Sequence, residues 1–369
     1  MAAAGLGGPV ALIGVGLIGG SLGLALREAG IADIRGVDPA DAAVEDALGR
    51  GAITRPCSDV ADAVAGARVV VVCAPVGDIP EVVRVALRAA DDDAVVTDVG
   101  SAKSMVLAAL TSAERERFCG GHPVAGGERS GVANARADLF TGATWFLTPT
   151  GETRPELLRR IHGMVSSVGA IPVAVDAGVH DHLMALVSHL PHVMASALMR
   201  QAAGTAPQGR EALRSAGPSF RDLTRVAGAN PRLWADILLG NRDAVLAETR
   251  RHRAELADVE AALERGDRAW LEEFFGAAAT ARERLVAQEE VTGGEVVRVM
   301  VEVPNRPGVL SEIATALGHA HINIEDLHLS PARPDEPFGR LEVDVAGDGA
   351  AARAIELIAA RGFRATAAG

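Results

Sequence analysis

The feature that most constrains this chain is Gly14-Val15-Gly16-Leu17-Ile18-Gly19, which closes an apolar run beginning at Val10 and leads into an amphipathic stretch from Ser21 to Ala29. Between a strand and a helix, this spacing serves one geometry. Gly14 permits a tight turn, Gly16 lets the backbone approach a pyrophosphate, and Gly19 lets helix and strand pack closely, while Leu17 and Ile18 bring backbone N–H groups at the helix start toward the anion. Asp38 ends the next β-rich run, Ile34–Val37. A carboxylate there accepts from both ribose hydroxyls of an adenosine and repels a 2′-phosphate, so NAD is the expected cofactor rather than NADP. Arg35, on the strand before Asp38, is a weak signal the other way.

The rest of the chain is consistent with that start. Short β-branched runs at Val69–Ala74, Val95–Asp98, Thr144–Thr148 and Ile171–Val175 alternate with amphipathic stretches, the mark of a parallel sheet covered on both faces. The fold class expected is α/β, with a Rossmann-like doubly wound domain over residues 1–175. From about Asp176 the β signal gives way to helical spacing in His182–Arg200, Arg232–Leu239 and Asn241–Arg265, which defines an all-helical domain over 176–290. Val291–Glu295, with Gly293 and Gly294, reads as a linker into a βαββα unit with a final strand, a ferredoxin-like sandwich over 295–369. A chain of 369 residues accommodates two or three domains at about 150 residues each.

Composition narrows the function classes. There are 36 basic and 48 acidic residues, a net charge of −12 with no dense Lys/Arg block, which argues against a nucleic-acid partner. No charge-free run of about 18 apolar residues is flanked like a membrane span, and the small residues Met1 to Gly8 lack the charged start of a secretory signal. Three cysteines, Cys57, Cys73 and Cys119, without C-x-x-C spacing, argue against a disulfide framework and fit a reducing cytoplasm. His180, His182, His189 and His192 come without cysteine, and no metal is expected on them.

Ligands of open α/β sheets sit at the carboxyl ends of the strands. Two loops leave such ends: Cys73-Ala74-Pro75-Val76, whose Ala74 and Pro75 are assigned to the cofactor, and Asp98-Val99-Gly100-Ser101-Ala102-Lys103. Next comes Gly120-Gly121-His122-Pro123-Val124-Ala125-Gly126. Pro123 restricts His122 to an extended backbone, expected in a loop that presents the imidazole, and an imidazole near neutral pKa can polarise or deprotonate a hydroxyl during hydride transfer.

Together with Val187-Ser188-His189-Leu190-Pro191-His192 and Asp222-Leu223-Thr224-Arg225-Val226-Ala227, these ordered motifs resemble the prephenate dehydrogenase family of tyrosine biosynthesis, over about Val10 to Glu290. Asn305-Arg306-Pro307-Gly308-Val309-Leu310, with His321-Ile322-Asn323-Ile324, resembles an ACT domain, an amino-acid-sensing module. The resemblance implies oxidative decarboxylation of prephenate to 4-hydroxyphenylpyruvate with NAD. It implies that His122 accepts the proton of the C4 hydroxyl, that Ser101 orients that hydroxyl or the imidazole, and that Arg225 pairs with a substrate carboxylate. His192 and Ser188, four residues apart, would complete the substrate pocket, with Glu128 at its rim and Asp222 supporting Arg225. Asn305, Gly308, Val309, Leu310, Asn323 and Ile324 would hold a regulatory amino acid, with L-tyrosine as the effector, and the helical domain would form a homodimer.

Alternatives stay open at this point. Arogenate, with an amino-acid side chain in place of the pyruvyl group, supports the same chemistry, and Gly127 stands where many relatives carry a small hydroxyl residue. A β-hydroxyacid dehydrogenase would want a Lys on the first long helix after the sheet, and His182–Arg200 has none. A non-catalytic NAD and amino-acid sensor is the reading from another class. The chain contains no Tyr, which either reflects drift in an alanine-rich sequence with 3% aromatics or lets the protein be made when tyrosine is scarce.

Overall fold

Strand β1 (Val10–Ile13) is buried at every residue, as are β4 (Val69–Val72) and β5 (Val95–Asp98), while β2 (Ile34–Val37) is nearly so. Continuous apolar strands of this kind need cover on both faces. Side chains accordingly alternate between two cores: Val10, Leu12, Val69 and Val71 enter one, and Ala11, Ile13, Val70 and Val72 the other. With the two-residue β3 (Arg55–Pro56) the strands form one parallel sheet ordered β3-β2-β1-β4-β5. The order reverses beside β1, so a crevice opens at the carboxyl ends of β1 and β4, where the glycine-rich turn and the Cys73–Val76 loop emerge.

The structure, a computed structural model, describes residues 8–126, 131–204, 213–292, 296–304, 324–330 and 338–367, with single positions between 306 and 322. The chain forms two compact units, Met1–Glu255 and Leu256–Gly369.

In the first unit a second sheet joins β6 (Gly120–Pro123), β7 (Thr144–Thr148) and β8 (Ile171–Ala174), with β6 antiparallel to β7 and β7 parallel to β8. This corrects the loop expected around His122: the residue lies in a strand, paired with Phe146. A run of Gly-Gly-His-Pro carries no strand propensity. Close packing explains the glycines instead, because a Cβ on Gly120 would lie 2.4 Å from Thr148 Oγ1 and one on Gly121 would lie 2.6 Å from the Asp98 carbonyl oxygen.

The helical part begins at Asp176, whose carboxylate caps the next helix by accepting from Gly178 and Val179 N–H. The helix Ala177–Met184 runs through a π-helical turn, Ala185–His189, into Leu190–Gly204, so Pro191 does not end it. Proline breaks the regular ladder, and the wider turn before it absorbs the defect. The whole segment is long and apolar enough to cross a membrane, with a window of mean hydropathy 1.2, yet His180 and Asp181 within it are tied to the sheet domain, as described below. Exposed apolar residues line this region, among them Val179, Val187, Leu223 and Leu239, the last 70% exposed. Trp234 and Leu238, on the same helix as Leu239, are half-buried.

In the second unit the helix Arg268–Thr292 extends through Val291 and Thr292, so the first two residues of the expected linker are helical. Strands β9 (Val296–Pro304), β10 (Ile324–Ser330), β11 (Phe338–Ala346) and β12 (Arg364–Ala367) form an antiparallel sheet ordered β10-β11-β9-β12. The helix Asp348–Ala359 lays Ala351, Ala354 and Ile358 on Val299, Val301, Leu341 and Val343, and Val309, Ile313 and Leu317 join the same core at helical spacing. The strand order is the ferredoxin-like one expected.

Candidate active site

The glycine-rich turn has the form a dinucleotide requires. Gly14 has φ +97°, and a Cβ there would lie 2.6 Å from the Cys73 carbonyl oxygen. A Cβ on Gly19 would lie 2.0 Å from the Gly14 oxygen, which is the close helix-to-strand packing read from the sequence. Gly16 differs: a Cβ on it would meet nothing within 4 Å, so the space above its backbone is free for a phosphate. Gly16 also caps the helix Leu17–Glu28 (α1), whose first turn carries no acidic residue and no side-chain cap, leaving its N–H groups to an anion. Asp38 accepts from Val15 N–H at 3.0 Å and Ala40 N–H at 3.0 Å, which fixes the carboxylate at the end of β2 with lone pairs to spare. Arg35, the contrary signal, is committed to Asp33 and to the Ala65 carbonyl oxygen. These residues fit NAD.

Next to this cradle, the Asp98 carboxylate and the Lys103 ammonium form an ion pair with both side chains fully buried. Asp98 also accepts from Gly100 N–H at 3.0 Å and Gly121 N–H at 3.2 Å, and Lys103 donates to the Gly121 carbonyl oxygen at 2.7 Å. The pair therefore clamps the Ser101 loop and the His122 strand to each other. Burial pulls the Lys103 pKa below its ordinary value, and Asp98 opposes that pull. Ser101 does not cap the following short helix, Ser104–Ala108. The backbone N–H groups of Lys103 and Ser104 at the start of that helix donate instead to Asp181, at 2.7 and 2.8 Å, and the Ser101 hydroxyl is buried without a partner. An orphaned hydroxyl on this loop is what a hydroxyl-bearing ligand would satisfy.

Around His122 lies a chain of polar contacts that the sequence reading missed. His122 Nδ1 is 2.9 Å from His180 Nε2, and His180 Nδ1 is 2.9 Å from Asp181 Oδ1. Asn241 donates through Nδ2 to the Asp181 carbonyl oxygen at 2.6 Å and to His189 Nδ1 at 3.1 Å. Trp234 meets His189 edge-on and stacks on His192 with ring centroids 3.5 Å apart. His192 donates from Nδ1 to the Ser188 carbonyl oxygen at 2.9 Å, which orients its ring. Trp234 in turn packs with Val76, Ala102 and Ile237, so His192 is carried to the two ligand loops. The signal available in the sequence is the adjacent pair His180-Asp181, of which only His180 stands out there, as one of four histidines on which no metal is expected.

Electrostatics favour a neutral imidazole at His122. Burial holds its pKa well below the usual histidine value, helped by His180, Lys103 and His189 and opposed by Asp181. Burial also lowers His189 to about 4. For Asp181, burial pushes the carboxyl up, but hydrogen bonds from His180, Ser104 and Lys103 outweigh it and hold the group below its ordinary value.

The remaining predicted residues are placed less centrally. Arg225 is exposed at the end of the helix Pro218–Thr224, in a turn that packs on the helix Leu190–Gly204 carrying His192. Ala74 is half-buried and Pro75 exposed on the loop after β4, and Ser188 is half-buried. Glu128 and Gly127 lie outside the described residues, as do Asn305, Gly308, Leu310 and Asn323 of the proposed regulatory site. Val309 is buried in the core of the second unit, and Ile324 packs against that core.

Family models match three consecutive segments: the nucleotide-binding domain of prephenate dehydrogenase over residues 22–173, its dimerization domain over 176–277, and an ACT domain over 297–357. The chain is 31% identical to prephenate dehydrogenase of Bacillus subtilis over 95% of its own length and 96% of that protein. Among solved structures, it is similar to prephenate dehydrogenase from Aquifex aeolicus in complex with hydroxyphenyl propionate and NAD+, with TM-score 0.71, 29% identity, and coverage of 75% of this chain and 98% of that one. It is also similar to Synechocystis arogenate dehydrogenase, with TM-score 0.66, 28% identity, and coverage of 75% and 100%.

A consequence for stability follows from the two lowered histidines. As pH falls below about 6.5 the unfolded chain protonates both, whereas native His189 does not until about pH 4, so the unfolded state binds more protons and stability declines through that window. His189 alone accounts for about 3 kcal/mol by pH 4. The Tm of the wild type should drop between pH 6.5 and 4 more steeply than that of His189→Gln; parallel curves would show that His189 is not held neutral.

Proposed function

The chain belongs to the prephenate dehydrogenase family, and on that premise we propose that it converts prephenate to 4-hydroxyphenylpyruvate and CO2 with NAD. The observation that carries the reading is His122 on a strand clamped to the Ser101 loop, beside a dinucleotide cradle at the carboxyl edge of a parallel sheet, where burial holds its pKa low. In this reading Gly14, Gly16 and Gly19 with the start of α1 hold the pyrophosphate, Asp38 the adenosine ribose, and Ala74 and Pro75 border the cofactor. NAD, when bound, supplies the hydride acceptor. Loss of CO2 from ring C1 as hydride leaves C4 makes the ring aromatic, so the driving force lies in the substrate and the protein must place groups and handle charge. His122 takes the C4 hydroxyl proton, and the unpartnered Ser101 hydroxyl orients that group. Arg225 pairs with a substrate carboxylate, with His192 and Ser188 along the pocket and Glu128 at its rim.

The similarity to an arogenate dehydrogenase structure over the same share of the chain supports a second reading, the same chemistry on arogenate with tyrosine as direct product. NADH formation from each substrate separates them, because the ratio of kcat/KM values measures discrimination. Prephenate should be preferred, and His122→Asn should lower kcat by about 10²–10⁴ with NAD affinity kept. Preference for arogenate transfers the assignment to that substrate, and wild-type kcat in the variant removes His122 as the base.

The domain limits proposed are 1–175, 176–290 and 295–369, supported by the placement of the three family matches. Homodimerisation through the helical domain is supported by the family description and by exposed Val179, Val187, Leu223 and Leu239, which a second copy would cover. A cytoplasmic location suits the three free thiols. The ACT match supports a ligand-binding regulatory role, and in this reading the effector is L-tyrosine, bound near Asn305, Gly308 and Asn323 with Leu310 and Ile324 shaping the site, while Val309 belongs to the core beneath. Tyrosine should inhibit the full-length enzyme noncompetitively with prephenate, and Asn323→Ala should weaken that inhibition with basal activity intact. Inhibition that is competitive and unchanged in the variant would place tyrosine at the substrate pocket instead.

A further inference from the structure

We propose that His180 and Asp181 form a proton-orienting relay that fixes the tautomer of His122, with His180 the positioning residue. The inference rests on the reading of His122 as the base. The Asp181 carboxylate only accepts, and it already takes the backbone N–H groups of Lys103 and Ser104, so the nitrogen of His180 that faces Oδ1 carries a proton. In neutral His180 the other nitrogen, Nε2, is then a lone pair. His122 Nδ1 lies 2.9 Å from that lone pair and must donate to it. The proton of neutral His122 thus sits on Nδ1, and Nε2 is the bare, basic nitrogen.

This arrangement opposes the intrinsic preference of histidine, whose free imidazole favours the Nε2–H form. Without the relay, the nitrogen that the Nδ1–His180 contact leaves free would carry a hydrogen and repel the substrate hydroxyl proton. The surroundings hold His180 in place: it is fully buried, its ring meets His122 edge-on at 5.1 Å and Phe146 edge-on at 5.4 Å, and Phe146 is the strand partner of His122. Once His122 Nε2 has taken the hydroxyl proton, Nδ1–H still points at an acceptor, and the new positive charge is shared along the relay toward Asp181. The titratable groups facing His122 from other elements are His180, Lys103, His189 and Asp181; the first three and burial disfavour a resting positive charge and outweigh Asp181, which favours it.

The prediction is tested on the full-length protein labelled with nitrogen-15 at histidine. Long-range proton–nitrogen imidazole spectra should show His122 as the Nδ1–H tautomer in the wild type and a shift toward Nε2–H in His180→Phe. Kinetically, His180→Phe should lower kcat about 10²-fold with KM for NAD and prephenate little changed, and His180→Gln, whose amide oxygen still accepts, should recover at least roughly a tenth of wild-type kcat. An Nε2–H tautomer in the wild type overturns the relay, as does a folded His180→Gln no better than His180→Phe. His122→Asn run alongside separates the two readings: wild-type activity there removes the base itself, whereas an inactive His122→Asn beside a fully active His180→Phe removes only the relay.

Discussion

The carboxylate of Asp181 is the contact on which the geometry of this site depends. It lies in the first helix after the sheets, yet its oxygens are taken by two backbone N–H groups at the start of the helix Ser104–Ala108 and by its neighbour His180. One buried charge therefore docks the helical layer on the α/β layer and sets the imidazole that touches His122. Its own carbonyl oxygen holds Asn241, which holds His189, so the same short segment also positions the start of the helix Arg242–Arg265. A buried carboxylate is costly unless each lone pair is satisfied. Here it is satisfied by donors from different elements, and the elements lose their freedom to shift.

Asp98 plays the matching part from the sheet side. It ends β5, and with Lys103 it joins the Ser101 loop to the His122 strand in a fully buried ion pair. Removing one partner of such a pair leaves a stranded charge, at a cost of about 3–5 kcal/mol. The glycines at 120 and 121 make room for this clamp, which explains a strand with so little strand character. The two carboxylates meet at Lys103, whose side chain serves Asp98 and whose backbone serves Asp181.

Much of this was legible in the sequence where short-range rules suffice. The strands β1, β4 and β5 are runs of branched apolar residues, and the glycine turn has a spacing that few other uses require. Asp38 and His122 stand out in the sequence from their motifs, and the structure adds that Arg35 is committed to Asp33 and the Ala65 carbonyl oxygen. What escaped was decided by contacts far apart along the chain. Strand β6 exists because Asp98 and Thr148 lie close behind its glycines, the helix through Pro191 continues because a π-helical turn absorbs the proline, and His180 meets His122 from 58 residues away. None of these leaves a local periodicity. Adjacent His-Asp was the one visible trace, and its use becomes evident only when a third partner is in place.

His122 stands neutral and basic at the start of the reaction, held so first by burial, with His180, Lys103 and His189 adding to it and Asp181 opposing it. Its folded pKa lies below the usual 6.5, so the fraction of free enzyme competent to accept a proton stays high as pH falls through that value. The pH dependence of kcat/KM for prephenate, followed by NADH formation, tests this directly. An acid limb falling clearly below pH 6.5 is the predicted result; a limb at or above 6.5 would mean that His122 is protonated in the resting enzyme and that the account of its environment is wrong.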